Sequence, residues 1–168
     1  MDTGLLIARL ILGLGLAAHG AQKLFGWFGG YGLKGTGGFF EGLGFRPGTL
    51  FVAAAGFGEF GGGLLTAAGF LGPVGPALII VVMLVGMVTV HWKNGFFAGK
   101  NGIELTLMNT AGALAIAFAG PGAFSLDRAM EISQLWQPST TWVAIAVAVV
   151  LAGVNLAVRR RPAPAPAS

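Results

Sequence analysis

Cysteine is absent from this chain of 168 residues, and charged side chains are scarce. Without thiols the chain cannot form a disulfide framework, an iron–sulfur cluster or a thiol relay of its own, so redox chemistry would need a bound cofactor or a partner. Charged residues make up 10% of the sequence, against roughly 25% in a soluble domain, whereas hydrophobic residues make up 55%. The composition therefore predicts an integral membrane protein.

Five apolar stretches approach the length of about 20 residues that a transmembrane helix needs. They cover residues 4–22, 50–71, 73–91, 103–119 and 140–158. The sequence Gly72-Pro73 between the second and third stretches favours a tight antiparallel hairpin of two helices. We therefore expect an all-α membrane protein.

The basic residues predict an orientation and not a nucleic-acid site, because no basic face interleaved with aromatic residues is present. If the chain crosses the membrane five times, most Lys and Arg residues of the loops and the C-terminus lie on one side of the membrane: Lys23, Lys34, Arg46, Lys93, Lys100, Arg159, Arg160 and Arg161. The other side carries Arg128 alone. Because Lys and Arg in short loops stay on the cytoplasmic side, we expect the N-terminus outside and the C-terminus in the cytoplasm.

Two segments outside the spans have distinct compositions. Residues 23–49 are rich in glycine and aromatic residues, which favours a re-entrant or interfacial segment, with substrate gating as the alternative. Residues 159–168 are basic and then alternate Pro and Ala, so we expect a disordered tail.

Ionisable residues inside the apolar spans are costly to bury and normally face the bundle interior. They are Arg9, His19 and Lys23 in or at the end of the first span and Glu59 in the second. At about 1.5 Å per residue, Glu59 lies between Arg9 and His19 in depth, so an Arg9–Glu59 ion pair is feasible. Such a pair either fixes helix register or belongs to a proton or ligand site, with Glu59 as acid/base and His19 changing charge near neutral pH.

His91 ends the third span on the same predicted side as His19. Two histidines at one membrane level could ligate haem or a transition metal. We do not favour haem and assign no metal site, because the chain has only 2 histidines and no supporting ligand pattern. Small residues around Glu59, including Ala54, Gly58 and Gly62, predict close helix packing.

Four motifs in order resemble those of the DoxX family of bacterial membrane proteins. The first runs from Leu6-Ile-Ala-Arg9 to Ala18-His19-Gly20-Ala-Gln22-Lys23, and the second is Glu59-Phe60-Gly-Gly62-Gly-Leu64-Leu65. His91 after the third helix and Gly120-Pro121-Gly122-Ala-Phe-Ser125-Leu126-Asp127 after the fourth complete the resemblance.

The resemblance implies a compact four-helix domain in the bacterial inner membrane, here over residues 1–130. Residues 131–158 then add a loop and a fifth, C-terminal transmembrane helix, before the tail at 159–168. The matching polar positions are Arg9, His19, Gln22, Lys23, Glu59, His91 and Asp127. The family has no settled catalytic assignment to carry over.

Named members resemble subunits of thiosulfate:quinone oxidoreductase, so the resemblance implies a membrane or quinone-facing subunit of a redox or oxidative-stress pathway, with a soluble redox protein as partner. Such a subunit need not be catalytic itself. Two alternatives remain: a non-enzymatic scaffold that recruits a soluble enzyme, and a small proton-coupled transporter. Five spans are few for alternating access unless the protein forms a homo-oligomer.

Overall fold

The computed structural model describes residues 2–160, and all regular structure within that range is helical. The α-helices are α1 (Asp2–Phe25), α2 (Gly32–Gly42), α3 (Gly48–Ala68), α4 (Val74–Gly86), α5 (Glu104–Ala119), α6 (Leu126–Ala129) and α7 (Pro138–Ala157). A π-helical turn, Met87–His91, and a 3₁₀ turn, Trp92–Asn94, extend α4. The predicted all-α class is confirmed, whereas most of the predicted disordered tail, 161–168, lies outside the described residues.

Four helical segments in the described part of the chain are long and apolar enough to cross a membrane: Asp2–Phe25, Gly48–Ala68, Val74–Asn94 and Pro138–Ala157. The fourth predicted span corresponds to α5, which has only 16 residues and is therefore roughly 24 Å long. α5 nevertheless packs between α1 and α4 and connects the two ends of the bundle. The protein is a multi-pass membrane protein.

Helices α1, α3, α4 and α5 form a four-helix bundle, and α7 packs on its outside against α4 and α5. This confirms the predicted bundle with an additional C-terminal helix. The core lies where the helices meet, and its buried members are Leu16, Ile79, Ile80, Met83, Ala113 and Ala148. The outer faces of α1 and α7 expose aliphatic side chains such as Ile11 and Val150, as expected of helices in contact with lipid.

The closest helix contact in the bundle joins α1 to α3 through glycines. Gly13 lies against the backbone of Gly63 and Ala67, where a Cβ atom would sit 2.6 Å from Ala67 N. About two turns further along, Gly20 lies against Gly56 and Phe60. Backbones approach this closely only where side chains are absent, so these contacts fix the register of the two antiparallel helices.

The bundle has two chemically different ends. The basic end contains the C-terminal ends of α1, α4 and α7, where the backbone N–H of Arg160 donates to Gly44 O (2.9 Å). The hairpin end contains the turn from α3 to α4, which begins at Gly69. This glycine caps α3 in the left-handed conformation (φ 62°), a common way to end a helix.

Residues 32–42 form a helix that the glycine-rich sequence did not predict. Glycine is a poor helix former, but α2 packs closely on α3 because Gly37 is buried against Gly48 and Thr49. Exposed aromatic residues flank the helix, including Trp27 and Tyr31. Tertiary packing, and not local propensity, therefore explains this element.

We expect Gly13→Ala to destabilise the bundle, because its Cβ would overlap the α3 backbone and overpacking costs about 1–3 kcal/mol. Gly15→Ala is the matched control on the same helix, since a Cβ there meets nothing within 4 Å. Thermal unfolding in detergent should give a lower Tm for Gly13→Ala and an unchanged or higher Tm for Gly15→Ala. Equal Tm values for the two variants would contradict the packing argument.

Candidate functional site

An ion pair between Lys23 and Glu59 lies inside the bundle at its basic end. Lys23 is in the last turn of α1, and Glu59 lies in the middle of α3. The carboxylate is buried, whereas the Lys23 side chain remains 24% exposed. A buried carboxylate is tolerated in an apolar bundle when a cation neutralises it, and Lys23 supplies that cation.

The structure does not form the ion pair between Arg9 and Glu59 that the depth estimate had made feasible. The depth estimate assumed that α1 and α3 end level at the inner side, but the glycine contacts stagger them, so that Glu59 lies near the level of Gly20. Arg9 is then about 11 residues away along α1, or roughly 16 Å. Lys23 is less than one turn from that level, and its side chain reaches the carboxylate.

A cavity of about 320 Å³ opens beside the Lys23–Glu59 pair. Its walls are formed by residues of α1 to α5 and α7 and of the loop between α2 and α3, and most of them are apolar. Phe39, Phe40, Phe45 and Phe51 supply aromatic rings. The polar groups on the wall are Lys23, Glu59, Thr89, His91, Thr106 and Asn155. An apolar cavity with a few convergent polar groups is the usual form of a small-molecule site.

The wall formed by α4 includes the π-helical turn, Met87–His91. Single π-helical turns interrupt α-helices frequently at functional sites. His91 Nδ1 lies 2.9 Å from Asn101 O. A carbonyl only accepts, so Nδ1 is the donor in this contact. The contact thus fixes the orientation of the histidine ring in the cavity wall.

His19 and Gln22 lie outside the cavity lining. His19 is exposed on α1, and its Nδ1 lies 3.2 Å from Gln22 Oε1. The Gln22 amide in turn donates to Phe28 O at 3.2 Å, which connects α1 to the first loop. The two histidines therefore have different partners: His19 contacts Gln22, and His91 contacts Asn101. In the described part of the chain, no group of three or more His, Cys, Asp and Glu side chains is arranged to hold a metal ion.

Arg9 occupies the hairpin end, where the residue is 2% exposed. It donates to the carbonyl oxygens of Pro121 and Phe124, in the loop after α5. Gly69 lies directly beside the guanidinium, and a Cβ there would sit 2.6 Å from Arg9 Nη1. Among the described residues, Arg9 Nε finds no acceptor. Arg9 therefore binds the backbone of a loop and not Glu59.

Asp127 ties the same loop to the helix hairpin. Its carboxylate accepts hydrogen bonds from the backbone N–H groups of Leu71 (2.9 Å) and Gly72 (2.7 Å). Its own N–H donates to Gly69 O (3.1 Å). The side chain is fully buried, and both carboxylate oxygens are occupied by structural contacts. We call residues 120–127, with these contacts to α1 and the hairpin, the clasp loop.

Sequence reasoning missed several residues of the cavity wall. Phe45 is 1% exposed and lies in a loop that carried no periodic signal. Asn155 offered a usable signal, because it is a polar side chain within the last apolar span. Polar residues inside such spans normally face the protein, as Asn155 does.

We expect Asp127→Ala to destabilise the protein strongly, because the N–H groups of Leu71 and Gly72 would lose their acceptor. Each buried unpaired amide costs about 1–3 kcal/mol. Arg128→Ala, which changes the exposed neighbour on the same helix, is the control. Thermal unfolding would compare the variants, and an unchanged Tm for Asp127→Ala would refute the clasp role.

We expect the two single substitutions of the ion pair to differ. Lys23→Met leaves a buried carboxylate without a partner, for which about 3–5 kcal/mol is typical. Glu59→Leu should cost less, because the partly exposed Lys23 can extend its ammonium toward water. The double variant Lys23→Met/Glu59→Leu should be more stable than Lys23→Met. Thermal unfolding of the unchanged protein, the two single variants and the double variant tests this double-mutant cycle. Additive losses would contradict it.

Comparison with known proteins gives one family assignment. A family model for DoxX matches residues 4–92, which cover α1 to α4 and the extension of α4 to Trp92. The matched region contains Arg9, Lys23, Glu59 and His91, whereas the clasp loop and α7 lie beyond it. Neither a curated protein nor a solved structure matches the chain. Because the match covers more than half of the sequence and agrees with a helical membrane fold, the chain belongs to the DoxX family.

Proposed function

We propose that this protein is a membrane subunit of a redox pathway and binds a quinone head group in the cavity at the basic end. The observation that carries the proposal is a largely apolar cavity of about 320 Å³ that ends on the Lys23–Glu59 pair. A quinone ring needs apolar and aromatic walls together with hydrogen-bond donors for its oxygens. The cavity residues fit both requirements.

The chain's own residues would hold the ring in defined ways. Phe45 and Phe51 would offer the ring an aromatic wall, and the Lys23 ammonium has three N–H donors, of which Glu59 uses one. Glu59 holds a proton-accepting carboxylate next to that ammonium. A bound quinone would supply the capacity to take up two electrons and two protons. Lys23 and Glu59 would exchange protons with its oxygens.

The electrons would come from a soluble redox protein, because a chain without cysteine has no thiol couple of its own. We therefore propose a quinone-binding subunit that does not itself oxidise the primary substrate. The concentration of Lys and Arg at the basic end supports a cytoplasmic location for that end in a bacterial inner membrane. The polar end of the cavity would then open toward the side where the soluble partner acts.

A non-enzymatic scaffold is the second candidate. Arg9 and Asp127 favour it, because both side chains are buried and committed to backbone contacts of the clasp loop. In this reading the buried charges hold the bundle together, and the cavity at the basic end is only a packing defect. The two candidates differ in whether the cavity binds a ligand in a saturable manner.

We expect purified protein to bind soluble ubiquinone and menaquinone head-group analogues in a saturable manner. The double variant Lys23→Met/Glu59→Leu removes the polar end of the cavity without leaving a buried charge. Loss of a charged hydrogen bond, about 1.5–3 kcal/mol, should weaken its binding about tenfold or more. Lys34→Met, at an exposed position of α2, is the control and should bind as the unchanged protein does.

Titration by quenching of the intrinsic fluorescence of the 4 tryptophans measures the affinity of each variant. No saturable binding by the unchanged protein would reject the quinone proposal and favour the scaffold. Equal affinity of the double variant and the unchanged protein would reject the site at Lys23 and Glu59.

A further inference from the structure

A second cavity, of about 230 Å³, lies along the contact between α4 and α7. Four residues of α4 and four of α7 line it, and all eight are aliphatic. We call it the α4–α7 groove. Because no polar side chain faces it, the groove offers nothing to a charged or hydrogen-bonding group, and only an apolar chain fits its chemistry.

The groove continues the cavity at the basic end. Leu78 and Val81 of α4 and Leu151 of α7 line both spaces. α4 and α7 both run from the hairpin end to the basic end, so the two spaces follow one another along the same pair of helices. From Leu151 back to Ala144 the groove extends roughly 10 Å further from the Lys23–Glu59 pair.

We propose that the α4–α7 groove binds the prenyl chain of the quinone whose head group lies at Lys23 and Glu59. This inference rests on the proposed function and adds the part of the ligand that it did not assign. A ligand with a polar head and a long apolar chain can place its head only at the basic end, since the polar side chains lie there. Its chain then leaves through the space that shares Leu78, Val81 and Leu151.

The groove depends on α7, which lies beyond the residues that match the DoxX family model. Ala144 and Ala148 face α4 with small side chains and leave room that larger residues would fill. The helix beyond the matched region would thus supply chain recognition, while the matched helices α1 and α3 supply the polar end.

The test compares two ligands with the same menaquinone head, one without a prenyl chain and one with a long prenyl chain, in the same detergent. Full-length protein should bind the prenylated ligand about tenfold more tightly, because burial of apolar groups adds affinity. Ala144→Phe fills the groove and should reduce this ratio to about twofold while it leaves the affinity for the head alone unchanged. Partition of the chain into detergent affects all variants equally and cancels in the comparison.

Ala146→Phe is the matched control, because Ala146 is exposed on α7 and does not line the groove. Val147→Phe is a second groove variant, at a half-exposed position. It replaces Ala144→Phe in the comparison if Ala144→Phe lowers the Tm. We expect Val147→Phe to reduce the ratio and Ala146→Phe to retain it.

Three results would overturn the inference. If the head alone binds and both groove variants keep the full preference for the prenylated ligand, the groove assignment is wrong and the proposed function stands. If a phospholipid with acyl chains of similar length abolishes the preference, the groove holds lipid and not the prenyl chain. If the unchanged protein does not bind the head alone, the proposed function fails and the groove assignment fails with it.

Discussion

The contact between α1 and α3 sets the positions of Arg9, Lys23 and Glu59. Gly13 and Gly20 bring the two backbones so close that the helices can meet in only one register. In that register Lys23 reaches Glu59 at one end, and Arg9 lies beside Gly69 at the other. A different stagger would leave the Glu59 carboxylate without a cation in an apolar interior, which is costly. Backbone packing and charge pairing therefore select the same arrangement.

The two polar ends differ in how much bonding capacity they retain. At the hairpin end both Asp127 oxygens accept backbone N–H groups, and two Arg9 nitrogens donate to loop carbonyls. At the basic end Lys23 uses one donor for Glu59, and the pair adjoins open space. Buried groups that are committed to backbone partners stabilise a fold, whereas a charged pair beside a cavity can still bind a ligand. This difference is the reason to place chemistry at the basic end.

The sequence predicted the features that depend on local pattern. Apolar length predicted the membrane helices, Gly72-Pro73 predicted the hairpin, and the cost of burial marked Arg9 and Glu59 as residues with partners inside the protein. The sequence did not predict the identity of those partners. They depend on the stagger of α1 against α3, which is set by the shapes of the residues across the contact. The sequence also missed α2, since five glycines in 11 residues argue against a helix unless tertiary packing compensates.

The shape of the cavity depends on residues far from Glu59 in sequence. The Arg159 side chain donates to Leu43 O, and the Arg160 N–H donates to Gly44 O, so the end of α7 is bound to the loop between α2 and α3. Leu43 and Leu151 both line the cavity, so this contact joins two of the segments that form its wall. Basic residues at the end of α7 therefore have a structural role. They hold α7 in a position where it forms part of the cavity wall, which the four-helix bundle alone would lack.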